Sequence, residues 1–235
     1  MRAGPIAMRL FIANKNYSSW SLRPWVLMRT LDIPFDAVPV RFGATNNHAA
    51  FRRFAPNGAV PCLHDGDAVV WDSLGIVEYL AERHPGVWPA EAAARAWARC
   101  ATAEMHAGFS ALRNRCGMNC GLRIALGSMP DDLARDIARI DELWREGLDR
   151  FGGPWLAGPA FTAVDAFYAP VAFRMQSFGL ELGDAAMAYA ARLRALPAMT
   201  EWYQAALAEP DREPGHEAEA RASGTITDDL RTIAV

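Results

Sequence analysis

Three short stretches hold residues whose types and spacing could do chemistry. The first is Ser18-Ser19-Trp20-Ser21-Leu22-Arg23, with two hydroxyls between a short apolar run and the start of a helix-spaced pattern. Several N–H groups at a helix start lack partners within the helix. A serine there either caps the helix or presents its hydroxyl at the positive end of the helix dipole, where an anion is favoured. The second stretch is Ala59-Val60-Pro61-Cys62-Leu63. Proline cannot donate to a sheet ladder, so Pro61 belongs at the first residue of a strand or at an edge. A cis Val60-Pro61 bond turns the chain sharply and leaves the Val60 N–H and C=O facing outward, free to pair with an extended ligand backbone. The third stretch, eleven residues beyond Pro61, is Asp72-Ser73 at a predicted helix start. The plain role of either residue is to cap the helix, whose N-terminus also favours an anion.

The elements that must position these residues follow from periodicity. Met8 to Ala13 is an apolar run of strand length, with Met8 a candidate native start after a seven-residue extension. Apolar positions 22, 25, 26, 28 and 31 give a helix, and Pro24 fits if it lies in the first turn. Ala37 to Arg41 reads as a second strand, and Thr45 to Phe54 as an irregular loop or short helix. Pro61 to His64 and Ala68 to Trp71 flank the turn Asp65-Gly66-Asp67 as a hairpin, and a helix runs from Ser73 to Arg83. His84-Pro85-Gly86-Val87-Trp88-Pro89 cannot continue a helix and marks a linker over 85–90 between a domain at 8–84 and one at 91–209.

The second domain reads as all-α. Predicted helices cover Glu91 to about Met118, Asp131 to Phe151, Ala185 to Leu196 and Ala198 to Leu207. Thr162-Ala163-Val164-Asp165 is a capping-box start, so loss of Asp165 should cost about 1 kcal/mol, the usual worth of a cap. Residues 210–235 are polar with scattered charge and read as a docked or partly mobile tail.

Bulk properties exclude several classes. A chain of 235 residues with 51% hydrophobic content can bury two cores, and a net charge of −3 gives no attraction for nucleic acid or an anionic membrane. No apolar run reaches the roughly 20 residues of a membrane span, so a cytoplasmic location is expected. Cys62, Cys100, Cys116 and Cys120 are too irregularly spaced for a disulfide framework or a metal site, and no metal is expected.

A proline-led strand followed by an acid-serine pair at a helix start resembles the glutathione-binding half of the glutathione S-transferases, and the likeness runs from residue 8 to 84. It implies an N-terminal thioredoxin-like βαβββα domain (α/β) followed by an all-helical domain. In the serine-type classes (zeta, tau, phi and relatives) the thiol-activating serine precedes a helical arginine by five positions, which makes Arg23 that arginine and Ser18 that serine. Ser19 is the second candidate and Tyr17 a third. Trp20 stands where the zeta pattern has cysteine, which leaves the protein no thiol of its own at that spot. The resemblance further implies that Val60 and Pro61 hold the cysteinyl part of glutathione, and that Asp72 and Ser73 hold its γ-glutamyl end. Between the domains it implies an acceptor pocket, for which Trp20, Met105, His106, Phe109 and Arg113 are placed by position. A free thiol has a pKa near 8.5, so a serine hydroxyl donating to the sulfur raises the reactive thiolate fraction at neutral pH. The implied activity is addition of glutathione, as co-substrate, to small electrophilic hydrophobic compounds by a homodimer. Glutathione-dependent isomerisation or peroxide reduction on the same site is one alternative, and a non-catalytic glutathione or hydrophobic-ligand carrier is another.

Overall fold

Alternation along β1 (Met8–Ile12) sends Leu10 and Ile12 into the interior and Arg9 outward, the period-two pattern of a strand covered on one face. The computed structural model describes residues 8–43 and 47–231. The extension ahead of Met8 and the first residues of the loop at Thr45 lie outside the described residues. β1 is central in a four-stranded sheet of order β2-β1-β3-β4. It pairs in parallel with β2 (Phe35–Pro39) and antiparallel with β3 (Cys62–Asp65), which in turn pairs antiparallel with β4 (Ala68–Val70). Helix α1 (Ser19–Thr30) connects β1 to β2, α2 (Asn47–Phe51) precedes β3, and α3 (Ser73–Ala81) follows β4. Pro24 falls on the second turn of α1, not the first, so the bond residue 24 would return to the Trp20 carbonyl is missing.

The second part holds α4 (Ala92–Ala107), α5 (Ser110–Arg115), β5 (Leu122–Leu126), α6 (Asp131–Phe151), α7 (Ala163–Phe178), α8 (Asp184–Arg194), α9 (Pro197–Leu207), α10 (Pro214–Ser223) and β6 (Gly224–Asp229). Helix α7 is buried all round and packs against α1, α4 and α8, as expected of a helix without a polar face. It is the axis on which both parts meet.

Three sequence expectations change. The single helix expected over Glu91 to Met118 is two, broken where Phe109 takes a left-handed φ of 54° and where a Cβ on Gly108 would stand 2.8 Å from the Glu104 carbonyl oxygen. The helical part also contains a strand, β5, too short to announce itself because its partner β6 lies about a hundred residues downstream. Residues 210–231 are therefore structured, with α10 and β6 folded back onto the second part. Closure of that ladder depends on Gly224, where a Cβ would come within 2.1 Å of the Ala125 carbonyl oxygen.

Candidate functional site

The turn between β1 and α1 is fixed from both sides. Glu209, at the end of α9, accepts the backbone N–H groups of Lys15 and Asn16 at 2.6 and 3.1 Å, and Trp202 Nε1 donates to the Lys15 carbonyl at 2.8 Å. Asn16 Nδ2 donates to Asn119 Oδ1 at 3.0 Å, and Asn14 Oδ1 accepts the Phe42 N–H at 2.8 Å. Tyr17 donates to Glu217 of α10 at 2.5 Å and accepts from Arg231 at 2.7 Å; burial first, then Glu217, pushes its hydroxyl up to about 12. Tyr17 thus keeps its proton, and its hydroxyl hydrogen is spent on Glu217.

The two candidate serines differ in their bonding. Ser18 is the N-cap of α1: its Oγ accepts the Ser21 N–H at 3.4 Å and donates to Ser21 Oγ at 2.7 Å, which itself accepts the Ala13 N–H. Ser19 Oγ instead accepts from Arg174 Nη2 of α7 at 3.3 Å. Arg174 also donates through Nε to the Cys116 carbonyl at 2.8 Å, and its Nη1 has no partner among the described residues. Arg23, four residues on from Ser19, is buried with its guanidinium 4.0 Å from the Trp20 ring centre and 4.7 Å from that of Phe167. Burial, reinforced by Arg174 and Arg113, draws Arg23 down to about 9, and burial draws Arg174 down to about 10. Both remain cations at neutral pH, so this end of α1 carries a concentrated positive charge.

A cleft of about 380 Å³ opens here, bordered by Ser18, Ser19, Trp20, Val60, Arg113 and Arg174 among others. The Val60-Pro61 bond is cis, as are Trp71-Asp72 and Gly153-Pro154. Phe42 and Phe51 supply an apolar wall, and His216 of α10, stacked 4.9 Å from Tyr17, closes one side. Exposed Glu219 stands at the mouth.

Asp72 caps and Ser73 begins α3; neither they nor Pro61 border this cleft. Asp72 Oδ1 caps the helix by accepting the Leu74 and Gly75 N–H groups at 2.9 and 3.4 Å. Its Oδ2 faces His106 Nε2 at 3.4 Å, and His106 stands edge-on to Trp20 with ring centres 5.3 Å apart. Burial lowers the His106 pKa, partly countered by Asp72, so the imidazole is neutral at pH 7. Ser73 is fully buried, and its Oγ has no partner among the described residues. Of the residues placed in the acceptor pocket, Trp20 and Arg113 border the cleft, and His106 joins Trp20 to Asp72. Met105 and Phe109 are buried in the core and do not border it. None of the four cysteines does either. Among the described residues no group of three His, Cys, Asp or Glu side chains is placed to hold a metal ion.

Arg174, His216 and Glu209 were not legible as site residues. Arg174 sits in an apolar helix with no motif around it, and the other two come from the segment read as a helix end and a tail.

Comparisons with known proteins agree with this geometry. The family profile described as "Glutathione S-transferase, N-terminal domain" matches residues 17–83. A "Probable maleylacetoacetate isomerase" of Vibrio cholerae is 27% identical over 182 residues, covering 74% of this chain and 81% of its own. Among solved structures, a tau class glutathione S-transferase from mango superposes with a TM-score of 0.67 at 17% identity, over 93% of this chain and 98% of its own. A theta class enzyme from Xanthomonas axonopodis pv. citri, solved with glutathione bound, gives 0.63 at 24% identity over 85% and 98%. These two likenesses show the fold: a thioredoxin-like α/β part followed by a helical part. With the profile match over residues 17–83 and the curated relative, they show that the chain is similar to the glutathione S-transferases in its N-terminal sequence and in its fold.

Proposed function

We propose that this chain is a glutathione transferase that holds glutathione across the β1–α1 turn, the Val60-Pro61 strand start and the N-terminus of α3, and joins its sulfur to a small electrophilic, largely apolar compound. The observation that carries the reading is convergence. Ser18, Ser19, Ala59 and Val60 border one cleft at the positive end of α1, together with Arg113 and Arg174. The thiol loses its proton to water, and the sulfur keeps the electron pair. A seryl hydroxyl donating to that sulfur, within the field of α1 and the arginines, favours the anion. The thiolate attacks the electrophilic carbon and a C–S bond forms. A leaving group departs with its electrons, or the displaced π electrons take a proton from water. Holding both reactants in a small cleft supplies the proximity. Asp72 is assigned to the ligand ammonium and Ser73, with the α3 N-terminus, to the carboxylate of the same end. Assembly as a homodimer in the cytoplasm belongs to the same reading; among the described residues no helix is long and apolar enough to cross a membrane.

One observation favours a second reading, glutathione-dependent isomerisation: the Vibrio cholerae relative is named a probable isomerase. There the sulfur would add to a double bond and leave again, with no net use of glutathione. A turnover assay with chlorodinitrobenzene and glutathione, beside calorimetric titration of glutathione, tests the proposal. Wild type should bind glutathione and release chloride, and the Ser18→Ala/Ser19→Ala double variant should bind but turn over at least tenfold more slowly. Binding without turnover in wild type supports a carrier. Equal turnover in the double variant removes the serines from the chemistry.

A further inference from the structure

Arg174 carries a charge that α7 does not otherwise explain. The side chain is buried in the middle of an apolar helix, yet among the described residues no carboxylate pairs with it. The titratable groups that act on it are Cys116 and Cys120 on the connection after α5, and Arg113 on α5; Arg23 on α1 feels its charge in turn. A buried cation without a counter-charge is costly to fold around. An anion brought by a ligand removes that cost, and Arg174 borders the cleft in which the thiolate is placed. Its reach is also specific. Nη2 donates to Ser19 Oγ at 3.3 Å, Nε is spent on the Cys116 carbonyl at 2.8 Å, and Nη1 is unpartnered. Because Ser19 Oγ is an acceptor in this contact and bonds no acceptor among the described residues, its hydrogen remains available. The Ser18 hydrogen is committed to Ser21 Oγ at 2.7 Å.

We propose that Arg174 is a positioning residue for thiol activation: by donating to Ser19 Oγ it orients and polarises that hydroxyl, so that Ser19, and not Ser18, gives the hydrogen bond to the glutathione thiolate. The inference rests on the glutathione reading above. In the step itself the thiol proton goes to water, the sulfur retains its electron pair, and Ser19 stays protonated throughout; no covalent bond forms to the protein.

The test is the pKa of enzyme-bound glutathione, read from thiolate absorbance near 240 nm across a pH series, together with calorimetric affinity. In Arg174→Met the bound thiol pKa should rise by about one unit, a tenfold loss of thiolate at a pH below the pKa. Arg174→Lys, which keeps the charge, should recover part of the shift. Ser19→Ala should raise the pKa similarly, and adding Arg174→Met to it should change little further, because the arginine acts through the hydroxyl. If Arg174→Met does not fold, the Lys and Gln variants carry the comparison, with Gln behaving as Met. An unchanged thiol pKa in folded Arg174→Met or Gln overturns the inference, as does full additivity with Ser19→Ala. It is equally overturned if only the KM of charged acceptors rises, which would make the arginine an acceptor contact. Wild-type protein that binds no glutathione, or binds it with an unshifted thiol, defeats the glutathione reading itself, a result distinct from these.

Discussion

Replacing Asp165 with alanine should cost far more than the cap its sequence motif suggests. The carboxylate is completely enclosed at the start of α7. Its Oδ1 accepts the Leu156 N–H at 3.0 Å and the Tyr189 hydroxyl at 2.9 Å, while Oδ2 accepts the Thr162 N–H at 2.9 Å and its hydroxyl at 3.4 Å. Alanine strands three closely bonded buried donors, each worth about 1–3 kcal/mol when left unpaired. Allowing for local relaxation, the loss is about 4 kcal/mol, against about 1 kcal/mol for a cap alone. That is a large fraction of the roughly 5–15 kcal/mol typical of a folded domain. Urea unfolding followed by tryptophan fluorescence measures it directly, since Trp144 and Trp155 both contact Tyr189. The pH dependence gives a second reading. Burial outweighs the four donors and pushes Asp165 up to about 6 from 3.8, so between these values the folded state holds a proton that the unfolded chain has released. Stability from this group is therefore fully present below the unfolded pKa and is lost as pH rises towards the folded one. The wild-type advantage over Asp165→Ala should be about 1 kcal/mol greater at pH 5 than at pH 7. A loss near 1 kcal/mol that is flat with pH would refute both the burial argument and the donor count.

Ser18→Ala removes the α1 cap and should lower stability by about 1 kcal/mol while reducing turnover less than Ser19→Ala does; the reverse order of turnover would return the chemistry to Ser18. Asp72→Asn should keep the α3 cap and the unfolding midpoint yet weaken glutathione binding, whereas Asp72→Ala should lower both, so calorimetry that finds unchanged affinity in both variants would confine Asp72 to capping. Arg231, whose Nη1 donates to the Tyr17 hydroxyl and whose Nη2 donates to the Glu209 and Asp211 carbonyls, ties the chain end to the β1–α1 turn. In Arg231→Ala, amide exchange should quicken across 213–229 and in the turn at 14–18 together; exchange confined to the chain end would show that the two are not coupled.

How much of this was readable depends on how far apart the cooperating residues lie. The Ser18 cap of α1, the cis Val60-Pro61 bond and the start of α3 at Asp72-Ser73 were legible because each lies at a local signal, a strand end or a helix start, that the sequence spells out within a few residues. The β3–β4 hairpin was legible for the same reason, as were the bounds of α6. Arg174 was not. Nothing local separates it from an arginine on a solvated face until α7 is seen to be enclosed, and its partner Ser19 is 155 positions away. Met105 shows the converse. Its helical spacing was compatible with a pocket or a core, and only the packing of α4 on α7 assigns it to the core. That the tail is docked through a helix and a strand was not legible in its composition, because its polar residues are spent on distant partners: Glu217 on Tyr17, Arg231 on two backbone carbonyls, and Arg212 on Asp229 at 2.7 Å.

These partners bear on how a site made from short polar residues can be stiff. A loop carrying two adjacent serines is held by few apolar contacts of its own, so its geometry must come from elsewhere. Here Glu209 accepts two of its backbone N–H groups, Trp202 reaches a carbonyl, Asn119 holds Asn16, and α10 lays His216 against Tyr17. Every one of those residues belongs to the helical part or the chain end. The α/β part thus carries the serine hydroxyls and the Val60 strand start, while the helical part braces the turn and, through Arg174, holds the Ser19 hydroxyl. Under the proposed function, changes on α7 or in α10 and β6 should for this reason alter thiol ionisation without touching the sheet that precedes the serines.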